Sequence, residues 1–451
     1  VSANHNFIAA SGYDEALLRL IDLAVNDNAI TAAIVAGGTG YTVGDILDVT
    51  GGTVVNGLSI TLEVTSVAAG VIDGIRIFNC GAYSAQPGNP VAVTGGTGAN
   101  DATFNLTFEA QNWTVLRNDA LSTSAIDYVA IQTGTTNPIT LEREVILQGP
   151  GNAGTDEIFV GIMEIRDVIA GINNWHLAGF TGFGTLLDWN DQPGFSLNGT
   201  ANQVSSFVPL SSGSIECWIH VSPRFLKGVF RMGTTYTNFC MGFLNPYATP
   251  SEFPYPLYLG GSSGRTNQSF TESGVAMSGL CDPMADTRSG GNVNGNAGFR
   301  NLSGVWASVL NWTFSGGARA ARNDRSVYPC SSTTGGLTFM PVEDRFIAGG
   351  IAENDWSDII PNSATPGVAN SNLFPTPDSG GDQTQLVPCY VWERTPTFAL
   401  FGELPDIFWG STTGANIVSE DRVIVNGEFF RAFQQGNRTD AFAFVFLRED
   451  F

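Results

Sequence analysis

Basic residues are scarce in this chain. Its 451 residues hold one lysine, Lys227, and Lys and Arg together number 20 against 42 Asp and Glu, giving a formal net charge of −22. A nucleic-acid binder draws much of its affinity from Lys and Arg that neutralise phosphates, so no nucleic-acid partner is expected. Charged residues of either sign make up only 14%, against about 25% in an ordinary globular chain. That shortage argues against helical bundles, whose exposed faces need Lys, Glu and Arg. No apolar run approaches the ~18 residues of a membrane span, so no membrane insertion is expected. The opening "VSANHNFIAASGYDEALL" lacks the basic start and apolar stretch of a secretory leader. Cys80, Cys217, Cys240, Cys281, Cys330 and Cys389 lie far apart with no C-x-x-C pair, which predicts buried thiols in a chain made in a reducing cytoplasm.

Glycine is abundant, at 54 residues, and there are 30 Phe. This profile predicts a mainly β protein: antiparallel, sandwich-like sheets with tight turns, one N-terminal helix and an inserted small β-module. The helix is written in "SGYDEALLRLIDLAVND", where Leu17, Leu20, Ile21 and Ala24 form an apolar stripe and Ser11 with Asp14 suggests a capping box. Residues 31–109 then change character, with Gly, Thr, Val and Ala around few charges. Alternation is clear in "SITLEVT" and "TFNLTF", and "GGTG" occurs at 37–40 and again at 95–98, hinting at internal pseudo-symmetry. The strand pattern resumes at "NWTVLRND", as if the module were spliced between the helix and its sheet. The expected organisation is a helical segment over 1–30, the inserted module over 31–109, a β-rich core continuation over 110–190 and a sandwich-like domain over 191–451. Asn426-Gly427 between apolar runs is a strong hairpin signal.

Candidates for chemistry are few. "VILQGPGNAGTDEIFVGI" places Gly149, Gly151 and Gly154 in dinucleotide-loop spacing, but Thr155-Asp156-Glu157 would set negative charge where a phosphate should lie. A strand pattern follows, so the stretch reads as a hairpin. His5, His176 and His220 have no metal-ligand spacing, and the Trp175-His176 pair reads as structural. Ser262 in "GGSSG" fits G-x-S-x-G without the helix that the motif needs. Carboxylates flank tryptophan at Asp188 and Asp191, and at Glu353, Asp355 and Asp358 beside Trp356. Such pairs can cut polysaccharide when held at the right separation, and nothing marks one pair over another. Calcium on "NVNGNAG" is equally unmarked. No catalytic, cofactor-binding or metal-binding residue is therefore assigned, and no enzymatic activity or cofactor is expected.

Several strings together resemble a family of tailed-bacteriophage virion structural proteins. They are the opening helix, "WTVLRND", "REVILQGPGNAGTDEIFVGI", "NNWHLAGFTGF", "NPYATPSEFPYPLYLGG" and "NGEFFRAFQQGNRTDAFAFVFL". "GGTGYTVGDILDVTGGT" resembles a small β-module that recurs in phage fibre and baseplate proteins. The resemblance implies a non-enzymatic tail or baseplate component, located in the virion after assembly in the host cytoplasm. Its partners would be copies of itself and other virion tail proteins. A receptor-binding fibre or spike for host surface glycan, and a capsid decoration protein, are the alternatives. In "NPYATPSEFPYPLYLGG", Pro250, Pro254 and Pro256 predict an extended segment from which Phe253, Tyr255 and Tyr258 reach a neighbouring copy.

Overall fold

The computed structural model describes residues 3–124, 139–151, 157–196, 206–263, 269–271, 297–309, 386–393, 399–410, 417–434 and 444–449, with short strand segments between 314 and 354. Among the described residues there are four large antiparallel sheets and one α-helix, the N-terminal Tyr13–Val25, the mainly β architecture that the sequence predicts. No described helix is long and apolar enough to cross a membrane.

A seven-stranded sheet forms the middle layer. Its first strand, Ala3–Ala9, pairs with Ile215–Val221, and Phe225–Met232, Thr235–Phe243, Leu257–Gly261, Ala297–Arg300 and Trp306–Val309 follow in order. Both faces of this sheet are covered. Cys217, Ile219, Phe230, Phe239 and Met241 point into one apolar core, and Trp218, Val229 and Cys240 point into another. Period-two alternation thus divides the strands between two cores, and both sets are apolar, so "CWIHV" and "FCMGF" read as continuous hydrophobic runs.

On one side lies a five-stranded sheet of Thr114–Ser124, Thr140–Gly149, Ile158–Asp167, Ile172–Phe180 and Ser206–Leu210. Trp175 from this layer meets Phe230 and Phe239 edge-on, with centroids 5.1 and 5.8 Å away. The sheet runs across the expected boundary at 190/191, because Ser206–Leu210 pairs with Ile172–Phe180. On the other side, Val387–Glu393, Ala399–Gly410, Phe444–Arg448, Glu428–Gln434 and Arg422–Val425 build the C-terminal sheet, with Arg325–Tyr328 at its edge and Asn245–Pro246 attached. Asn426 and Gly427 make its two-residue hairpin with φ of +54° and +85°, the left-handed geometry that favours this dipeptide.

The helix buries Leu17, Leu20, Ile21 and Ala24, as their spacing predicts. Its start differs from the expected capping box. Gly12, at φ +84°, precedes the first turn, and no side chain caps it. Tyr13 N donates instead to Ser211 O at 3.1 Å, and Ser11 N donates to the Glu15 carboxylate at 2.7 Å. A Cβ on Gly12 would stand 2.6 Å from Ser211 O, so only glycine lets the chain pass so close.

Between helix and five-stranded sheet, residues 27–110 form the eight-stranded module. Its first strand, Asp27–Ala36, pairs with its last, Thr103–Ala110, and Asp27 stands opposite Ala110, so the two ends of the segment are neighbours. The two GGTG turns clasp each other. Asp101 accepts hydrogen bonds from Thr39 N and Oγ1, and Asp45 accepts them from Thr97 N and Oγ1. Each turn's threonine is held by an aspartate that follows the other turn. The module's apolar interior is continuous with the buried face of the helix, through residues such as Leu58, Ile60, Leu17 and Leu20.

Candidate functional site: a carboxylate cluster where the helix meets the five-stranded sheet

The residues that the sequence offers for chemistry are occupied in packing. Thr140–Gly149 and Ile158–Asp167 pair antiparallel, with Gly149 opposite Ile158, so "VILQGPG" enters a hairpin. A Cβ on Gly149 would stand 2.9 Å from the Trp113 ring, so this glycine makes room for an indole. Gly154, Thr155 and Asp156 lie outside the described residues. His176 is fully buried and stacked on Phe207 at 4.6 Å, and burial pushes its pKa down to about 3. His5 and His220 are likewise buried and held near 3, first by burial and then by Arg19 and Lys227, respectively. All three are neutral imidazoles inside the protein.

Ser262 is buried too. Its hydroxyl accepts from Asn238 N at 2.7 Å and faces the Asn238 side chain, with no histidine in the arrangement. Asp188 and Asp191 are exposed, but Trp189 between them is turned inward onto Phe180 and Phe195. A Cβ on Gly161 would stand 2.5 Å from the Trp189 ring, which shows how closely the indole lies on the sheet. That ring is not free to stack on a sugar. Of the second carboxylate group, Glu353 is in the short strand Ala352–Asn354, whereas Asp355, Trp356 and Asp358 lie outside the described residues, as do residues 292–296 of "NVNGNAG".

The segment expected to reach a neighbour packs on its own chain instead. Phe253 and Tyr258 are buried, Phe253 packing on Phe401 at 5.4 Å. The Tyr255 hydroxyl donates to Phe180 O and accepts from Phe159 N. The expected extended conformation is not found: residues 250–252 form a turn in which Glu252 N and Phe253 N both donate to Thr249 O at 2.9 Å, and this compact strap lies where all three layers meet, its aromatics filling that seam. Nothing in the local sequence separates a strap over its own core from one over a partner.

Perturbed titratable groups gather elsewhere, at the helix start. The strand Thr140–Gly149 carries a β-bulge: Leu141 pairs with Ile165 and Arg143 with Glu164, leaving Glu142 without a partner. A bulge re-aims side chains, so successive residues can serve one site. Here Glu142 accepts a hydrogen bond from the Tyr13 hydroxyl and stands 3.3 Å from Arg166. Arg143 lies 2.9 Å from Asp14 and 3.6 Å from Glu164. Asp14 is about half open to water, at 47% side-chain exposure, while Glu164 is at 1% and its Oε1 has no hydrogen-bond partner. Burial first, then the Asp14 carboxylate, push the Glu164 pKa up to about 8 against the pull of Arg143. Burial and the Glu142 bond keep the Tyr13 hydroxyl protonated far above its ordinary range. No motif announces this cluster, since its members come from a helix and two strands and meet only through the bulge.

A second charged joint fastens the module to the C-terminal sheet. Glu63 accepts hydrogen bonds from Arg76 beside it in the module and from Arg422 across the gap. Glu449 accepts them from Arg422 at 3.0 Å and Arg431 at 2.5 Å, and burial notwithstanding, these arginines hold its pKa below the usual range. Phe78 and Phe429 stack between the guanidiniums, with Arg76 4.5 Å from the Phe429 centroid and Arg422 5.1 Å from that of Phe78. Lys227 forms another joint, donating to Pro405 O at 2.6 Å and lying 3.6 Å from Asp406.

No protein-family model and no curated protein matches the sequence. Among the described residues, no group of three or more His, Cys, Asp or Glu could hold a metal ion. In the helix cluster, Arg143 and Arg166 occupy the positions where a cation would sit. The arrangement is suited to binding a proton and to joining elements.

Proposed function

We propose that the chain is a non-enzymatic structural component of a tailed-bacteriophage virion, in the tail or baseplate, working in several copies beside other tail proteins. The observation that carries this reading is where the polar chemistry lies. Histidines, the motif serine and the tryptophan between two aspartates are packing residues, and charged side chains join the module and the middle sheet to the C-terminal sheet. Such joints favour one fixed arrangement of layers, which is what a part that transmits load or holds a neighbour requires. The strings that resemble virion structural proteins support the same reading. So does the hairpin tip at Val168 and Ile169, 62% and 72% exposed, whose turn is tied by Asp167 accepting hydrogen bonds from Ile169 N and Ala170 N. An exposed apolar tip suits contact with a neighbouring protein.

Quantitative mass spectrometry of purified virions, paired with antibody labelling in the electron microscope, tests the proposal. The expected result is a small, fixed copy number localised to the tail. Several hundred copies on heads would favour a decoration protein, and absence from virions would end the structural reading.

A further inference from the structure

We propose that the cluster of Tyr13, Asp14, Glu142, Arg143, Glu164 and Arg166 is a proton-binding latch: one bound proton holds the helix Tyr13–Val25 on the five-stranded sheet, and its loss in mildly alkaline solution loosens the helix. The composition of the cluster favours that proton. Three carboxyl groups face two guanidiniums, so full ionisation leaves one negative charge unbalanced beside an apolar core. The proton resides on Glu164, which is buried, has one oxygen without a partner, and touches Arg143 only at 3.6 Å, since Arg143 points more closely at Asp14.

Every element that packs there contributes. The helix supplies Tyr13 and Asp14, the bulged strand Glu142 and Arg143, and the strand of Glu164 itself Arg166. The cross-strand partner Trp175 adds no charge, and Asn118 on the edge strand accepts from Arg143 at 3.0 Å. Deprotonated Glu164 repels Asp14 on the helix and Glu142, whose carboxylate holds the Tyr13 hydroxyl. The helix joins the cluster only through the side chains of Tyr13 and Asp14, whereas the strands are also held by their ladder pairing, so the helix is the element that gives way. Its release also loosens the bond from Tyr13 N to Ser211 O and that from Gly12 N to Ala9 O, and with them the connection to the strand Ala3–Ala9.

The direction of the pH effect follows from the folded and unfolded values. Glu164 ionises near 4.5 when unfolded and near 8 when folded. The stabilisation by its protonated form is therefore complete below the first value and is lost as pH rises through the second. The buried histidines act only below their ordinary 6.5, so the interval from about pH 7 to about pH 9 reads Glu164 apart from them.

Hydrogen exchange at the helix amides of the full chain, corrected for intrinsic rates, tests the latch across that interval. Wild-type protection should fall about ten-fold or more, the effect of one pKa unit, while sheet amides in Thr235–Phe243 keep theirs. Glu164→Gln, neutral at every pH, should remove the dependence. Equal pH dependence in wild type and Glu164→Gln, or loss of protection everywhere together, overturns the proposal. Should Glu164→Gln fail to fold, Asp14→Asn at the half-open position decides: removing that neighbouring carboxylate should move the midpoint to lower pH. A midpoint that stays or rises overturns the latch as well.

Discussion

At the residue scale, the chain's one lysine makes the clearest case for charge used inside the molecule. Lys227 is 3% exposed and lies between the middle and C-terminal sheets, bonded to Pro405 O and beside Asp406. Burial lowers its pKa, and Asp406 partly restores it. Lys227→Met keeps the volume but leaves Asp406 and a carbonyl without their cation. Removing one partner of a fully buried pair costs about 3–5 kcal/mol, and because Asp406 is a third open to water the loss here should be nearer ~2 kcal/mol. Adding Asp406→Asn should recover most of it. Urea unfolding of the two variants measures both values, and a single variant within about 0.5 kcal/mol of wild type, the range of an ordinary surface change, would show that the pair contributes little. This role was not legible in the sequence. A solitary lysine in "FLKGVF" is visible, but its partner is about 180 residues away and its burial depends on a layer that the local pattern does not announce.

At the element scale, the module is the part that the sequence displayed best. Its composition changes at both edges, its alternating strands are short and regular, and its paired GGTG turns are repeated words. The structure adds that its ends are adjacent, Asp27 opposite Ala110. Replacing 31–109 by a short Gly/Ser linker should leave the three-layer body folded, since the helix end already meets Trp113, whose backbone N–H donates a hydrogen bond to Ala24 O. It should not leave that body unharmed. The module's core is continuous with the helix, and the excision exposes apolar side chains there and deprives Arg422 of Glu63. The expected outcome is a cooperative thermal transition at a lower temperature, seen by calorimetry; a broad, non-cooperative melt would mean that module and body are one folding unit. The helix cluster was illegible by contrast. Helix periodicity reveals Leu17 and Leu20, whereas a bulge at Glu142 depends on pairing register, which no window of sequence contains.

At the scale of the whole molecule, low charge density and exposed apolar tips predict assembly, although the strap around Phe253 is withdrawn as its surface. The contacts belong on tips such as Val168–Ile169 and on Leu186, which is 97% exposed. Light scattering over a salt series should show mass above the monomer, increasing as salt screens the net −22, and Ile169→Asp should return it to the monomer. A monomer at every salt and concentration would leave assembly entirely to partners other than this chain. The layering has a consequence in time as well as in space. The strand Ala3–Ala9 has its partner at Ile215–Val221, so on a ribosome adding about 5–20 residues per second it stands unmatched for roughly ten to forty seconds. The next strands of the middle sheet then still lack the C-terminal layer that covers their second face. Synthesis from one end therefore delivers this protein's centre before its cover, and its yield in a cell depends on how well the half-made sheet is sheltered until the last strand emerges.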